Sequence, residues 1–97
     1  MIEVKGQSNE SLVLDGEWFE KLRGGESKTR LPAKDFVSYE LQEIEAKKKL
    51  FGGESEAKIN LTLTFNRPPF VGFVTEASKR AEVDAVIAAL EAARDAG

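Results

Sequence analysis

The chain has 97 residues, a formal net charge of −3 and 32% charged residues, which fits one water-soluble domain with a modest core and not a disordered chain. It contains no cysteine and no histidine. That removes thiolate nucleophiles, disulfides, zinc–cysteine sites and the commonest general base and metal ligand, so neither a cofactor nor a metal is expected.

Ile2-Glu3-Val4-Lys5 alternates apolar and charged residues, the pattern of a half-buried strand. Gly6 to Ser11 is a polar turn, and Leu12-Val13-Leu14 runs into Asp15-Gly16, a strong hairpin signal of type I′. The next strand, Glu17–Arg23, is expected to send Trp18 and Leu22 into the core and leave Phe19 at a rim. After the turn at Gly24-Gly25, Thr29–Pro32 reads as a short strand that Pro32 ends or holds at an edge. Phe36 to Ile44 is a longer strand with Val37, Tyr39 and Leu41 facing inward. A β-bulge near Gln42-Glu43 is expected to turn Ile44 inward as well.

Glu45 to Lys49 is charged, and Gly52-Gly53 breaks the chain after Leu50-Phe51. Ile59 to Phe65 alternates large apolar residues with Asn60, Thr62 and Thr64, the cleanest strand of the sequence. Phe70–Val74 follows, apolar on both faces. The chain ends in a helix from Ala77 to Ala96, with Val83, Val86, Ile87 and Leu90 on one face. The prediction is a mainly β, α+β domain over residues 1–97: seven antiparallel strands forming a barrel or sandwich, capped by one C-terminal helix.

That order resembles the pleckstrin-homology superfold, and within it the small bacterial PH-like domains of unassigned function. Three stretches carry the resemblance: Val4-Lys5-Gly6 through Asp15-Gly16 to Arg23; Arg30-Leu31-Pro32 leading to Phe36-Val37; and Ile59–Phe65, Phe70–Val74 and the helix. PH-like domains bind lipids, peptides or proteins, so the resemblance implies a binding module without naming its ligand.

Four candidate sites follow. Lys21, Arg23, Lys28 and Arg30 flank the Gly24-Gly25 turn and resemble the basic hairpin with which some PH domains hold inositol phosphates. Glu26 in that turn and the acidic balance of the chain weigh against an anionic ligand there. Lys47-Lys48-Lys49 beside Leu50-Phe51 could touch an anionic membrane surface, but Glu43, Glu45, Glu54 and Glu56 offset the charge. Glu40, Glu43 and Glu45 form a carboxylate group with no partner nucleophile and no calcium-loop spacing. Ala81, Ala85, Ala88 and Ala92 make a small-residue stripe on the helix back, where a second helix or subunit could approach closely.

Enzymatic activity is not expected, since no phosphate-loop or nucleophile-elbow pattern appears. Nor is nucleic-acid binding, given the acidic balance and the lack of aromatics set in basic sequence. No run of about 18 apolar residues is available to span a membrane. The N-terminus lacks the look of a signal peptide, and the start at Met1 suggests a whole small protein in the cytoplasm. The expected function is a non-enzymatic protein–protein interaction or assembly module, self-association included. The alternative is anionic-ligand or peripheral membrane-surface binding through the basic hairpin.

Overall fold

The computed structural model describes residues 1–44, 48–49, 53–54, 57–66 and 70–96. Strands β1 (Ile2–Lys5), β2 (Glu10–Asp15), β3 (Trp18–Arg23) and β4 (Glu26–Pro32) form an antiparallel meander. A single 3-10 turn, Ala33–Asp35, leads to β5 (Phe36–Ile44). Two short strands, β6 (Lys48–Lys49) and β7 (Gly53–Glu54), pair with each other. β8 (Lys58–Phe65) lies between β5 and β9 (Val71–Glu76) in a second antiparallel sheet. A 3-10 turn at Ala77–Lys79 then opens helix α1 (Arg80–Ala96). The antiparallel, mainly β architecture with one C-terminal helix is as the sequence indicates. A closed seven-stranded barrel is not seen among the described residues: their strands divide into sheets of four, three and two, and none closes.

The hairpin registers decide what is buried. The β1–β2 turn puts Ser8 and Asn9 at φ 59° and 58°, with Glu10 N–H donating to Gln7 O at 3.0 Å, as a type I′ turn does. In the β2–β3 hairpin Asp15 pairs with Trp18, so the loop is Gly16-Glu17, one residue later than expected. Gly16 alone of the two has positive φ, which marks type II′ instead of I′. This register sets Phe19 opposite Leu14. Directly opposed residues of an antiparallel pair share a face, so Phe19 goes inward with Leu12 and Leu14. The expectation for β3 is therefore reversed: Phe19 is 0% exposed and Trp18 42% exposed, while Leu22 is only half-buried. The size of tryptophan did not outweigh the parity imposed by a two-residue loop.

β8 behaves as its alternation says, with Ile59, Leu61, Leu63 and Phe65 buried. β9 buries Val71, Phe73 and Thr75, and Phe70 lies outside the strand, exposed. β5 departs from expectation. Its bulge falls between Phe36 and Ser38, not at Gln42-Glu43, and Ile44 pairs with Lys58 on the outer face. Val37, Tyr39 and Ile44 are all exposed. The cause is position: β5 is an edge strand, so nothing beyond it covers its side chains.

One core joins both sheets and the helix through Leu12, Phe19, Leu61, Phe73, Val86 and Leu90, among others. Phe65 ties the sheets together, with ring centroids 5.1 Å from Phe19 and 5.7 Å from Phe36. The end of β1 is joined to β9 by Gln7 N–H donating to Val74 O at 2.9 Å and by Thr75 Oγ1 donating to Lys5 O at 2.7 Å. The second bond satisfies the hydroxyl of Thr75, a buried polar side chain.

Candidate functional site

The basic hairpin is dispersed and largely neutralised. Lys21 pairs with Leu12 on the inward side of its sheet, and its Nζ lies 2.7 Å from Glu10 Oε2. Arg30 pairs with Glu20 on the opposite side, with Nε 3.5 Å from Glu20 Oε1 and the guanidinium 4.2 Å over the Trp18 ring. Lys28 lies at the bulge opposite Lys21 and Leu22, and its Nζ is 3.1 Å from Glu26 Oε2. Arg23 faces Glu10 and Glu26 in register. Three of the four cations thus already meet carboxylates, and Lys21 and Arg30 point to opposite faces of the sheet. A polyphosphate would have to displace those partners. Lys47, Leu50 and Phe51 lie outside the described residues, as does Glu45.

The alanine stripe is where the periodicity puts it. Ala81, Ala85, Ala88 and Ala92 are all exposed, while Val83, Val86, Ile87 and Leu90 are buried. Ala89 and Ala93 are half-buried against the core. The stripe offers a smooth surface but no charge or aromatic anchor that would define an occupant.

Glu40 and Glu43 do not act together. Glu40 pairs with Thr62 on the outer face of its sheet, whereas Glu43 accepts a hydrogen bond from Arg80 of the helix. Arg80 also donates to Asp84 Oδ1 at 2.9 Å. Its pKa is raised above the ordinary arginine value, first by the hydrogen bond and charge of Asp84 and then by those of Glu43.

Sequence reading did not identify the feature that these contacts outline, the outer edge of β5. At the far end of the helix, Arg94 Nη1 donates to Val37 O at 2.8 Å. From Arg80 to Arg94 the helix rises about 21 Å at ~1.5 Å per residue. From Glu43 to Val37 the strand spans about 20 Å at ~3.3 Å per residue. The helix therefore runs antiparallel alongside β5, one flank towards it, for nearly the whole strand. β5 has one strand neighbour, β8, and among the described residues no strand lies on its other side.

The contrast with β4, one of the two edge strands of the other sheet, is informative. β4 carries Lys28, Arg30, a bulge and a terminal proline, the usual devices that discourage further pairing. β5 carries no lysine, arginine or proline over its nine residues, and its side chains are exposed at every position except Phe36 and Leu41. On its outer face Ser38, Glu40 and Gln42 pair with Thr64, Thr62 and Asn60 and line two shallow depressions of about 420 and 480 Å³, with Phe70 at one end. A separate groove of about 440 Å³ lies between Gly16, Trp18, Pro32 and Ala33 on one side and Ala93 and Ala96 on the other.

No protein-family model matches the chain, and comparison with curated proteins and with solved structures gives no match either. Among the described residues, no helix is long and apolar enough to cross a membrane.

Proposed function

We propose that the chain is a non-enzymatic protein-interaction module of PH-like type that engages its partner along the edge of β5. The observation that carries this reading is a nine-residue edge strand that holds no lysine, arginine or proline and exposes Val37, Tyr39 and Ile44. Such an edge offers a row of backbone donors and acceptors to another chain, and alternate side chains supply selectivity. The chemistry of the residue types points the same way, since a chain without histidine or cysteine has few routes to acid–base or nucleophilic catalysis.

The test compares the wild-type chain with a Tyr39→Lys, Ile44→Lys variant whose circular dichroism and melting are unchanged. Affinity capture from cells that express the protein is read beside solution mass by light scattering. A partner, or a second copy, held by the wild type and lost by the variant is the expected result. A strictly monomeric wild type that captures nothing, or a complex indifferent to the variant, refutes the reading.

A further inference from the structure

Resting on that reading, we infer that the partner of β5 is a basic, extended segment of another protein, added as a further strand and selected by carboxylates standing on both sides of the edge. The inference follows from the charges that the helix and the strand bring together. Glu40 stands on the outer face of β5. On the helix side stand Glu43, Asp84, Glu91 and Asp95. The cations among them are Arg80 and Arg94, and both are engaged: Arg80 by Glu43 and Asp84, Arg94 by Asp95 at 3.0 Å, Glu91 at 3.7 Å and the Val37 carbonyl. Among the described residues, five carboxylates against two committed guanidiniums and Lys58, which pairs with Ile44 at the far end of the outer face, leave the corridor beside β5 net acidic. The carboxylates of the ion pairs are themselves well exposed, so further cations can reach them.

This pattern selects among occupants. Successive side chains of an added strand point to opposite faces, so one set lies beside Ser38, Glu40 and Gln42 and the other beside Tyr39 and the helix flank. Lysine or arginine in either set meets a carboxylate, while an apolar residue in the second set meets Tyr39. A second copy of β5 is disfavoured: β5 brings Glu40 and Glu43 and no cation of its own, and antiparallel self-pairing would set like charges close together. Anionic ligands are repelled for the same reason. Complementary charge also speeds encounter and makes binding salt-dependent.

The probe is an acetylated, amidated octapeptide of alternating lysine and valine. Its controls are the glutamate–valine counterpart and a lysine–valine peptide with a central proline. Binding is followed by NMR on the full chain at low and high salt. The expected result is saturable binding of the lysine peptide with a Kd at or below roughly 1 mM at low salt. Shifts and slowed amide exchange should centre on Val37 to Ile44, salt should weaken binding, and the two controls should not bind. Glu40→Lys with Glu91→Lys, which spares the Arg80 bridge, should weaken binding roughly five- to tenfold. Equal binding of the acidic peptide, shifts centred elsewhere, indifference to the double reversal, or no binding of the lysine peptide overturns the inference. If the captured partner is still lost on the Tyr39→Lys, Ile44→Lys variant while the lysine peptide fails, the interaction reading stands and only the basic-strand inference falls. If capture fails as well, both fall.

Discussion

Gly6→Ala tests the packing of the seam between the two sheets. Gly6 sits outside the left-handed region, so alanine is acceptable to its backbone. The obstacle is space. A Cβ there would lie 2.5 Å from the tip of the Phe73 ring and 2.5 Å from the Val74 carbonyl oxygen. Neither neighbour yields easily: Phe73 is buried in the core, and the Val74 oxygen accepts the Gln7 N–H at 2.9 Å. Relief requires the seam to part, which stretches that bond and the Thr75–Lys5 bond beside it. Overpacking costs about 1–3 kcal/mol, and weakening a hydrogen bond adds about 1 kcal/mol, so a loss of about 2–4 kcal/mol is expected. Gly16→Ala is the comparison: nothing lies within 4 Å, but φ is +59°, so the loss should be about 1–2 kcal/mol from backbone strain alone. Urea denaturation of both variants decides the matter. Phe73→Leu in the Gly6→Ala background should recover part of the loss, since it removes the ring contact and leaves the carbonyl one. A Gly6→Ala protein within about 0.5 kcal/mol of wild type would refute the reasoning.

Phe19→Ala should cost about 3–5 kcal/mol, whereas Trp18→Ala, losing mainly its contact with Arg30, should cost no more than about 1.5 kcal/mol; the reverse order by denaturation would overturn the register described for β3. Ser8→Gly should stabilise the chain by up to about 1 kcal/mol, because Ser8 holds φ 59° in the β1–β2 turn, and a destabilised variant would mean that the serine side chain matters more than its backbone. Leu90→Asp should abolish cooperative unfolding, while Ala88→Arg should change stability by no more than about 0.5 kcal/mol. If Ala88→Arg also leaves assembly and partner capture untouched, the alanine stripe is simply solvent-exposed helix.

The parts of the fold legible in sequence are those where one local period suffices. Ile59–Phe65 alternates without interruption because β8 has strands on both sides and a core beneath it. The helix face at Val83, Val86, Ile87 and Leu90 follows directly from 3.6-residue spacing. What was not legible depends on pairing. A loop shifted by one residue exchanged Trp18 for Phe19, because parity across a hairpin is fixed by register and not by composition. The bulge expected at Gln42-Glu43 lies instead after Phe36, because an edge strand has no need to bury Ile44. Gly6 reads in sequence as one more turn glycine; its close approach to Phe73 and Val74 is a contact between residues far apart along the chain.

The candidate sites follow the same division. The cations around Gly24-Gly25 look concentrated on paper, because a list of residues shows charge without direction. Pairing then set each of Lys21, Lys28 and Arg30 beside a glutamate, and in an exposed hairpin such pairs contribute little stability while still removing free positive charge from a ligand's view. The opposite happened at β5. Glu40 and Glu43 read in sequence only as part of a carboxylate group with Glu45, and Asp84, Glu91 and Asp95 belong to the helix, with nothing in the order of residues to bring the two sets together. Only the alignment of that helix with the strand, held at one end by Arg80 and Glu43 and at the other by Arg94 and Val37, gathers them along an open edge. The difference between β4 and β5, two of the four edge strands of the two larger sheets, then bears on the reading. β4 carries lysine, arginine and a terminal proline as well as a bulge, whereas β5 has a bulge after Phe36 but no lysine, arginine or proline. Among the described residues the outer edge of β5 is left without a strand neighbour, which is why the proposed partner is placed there.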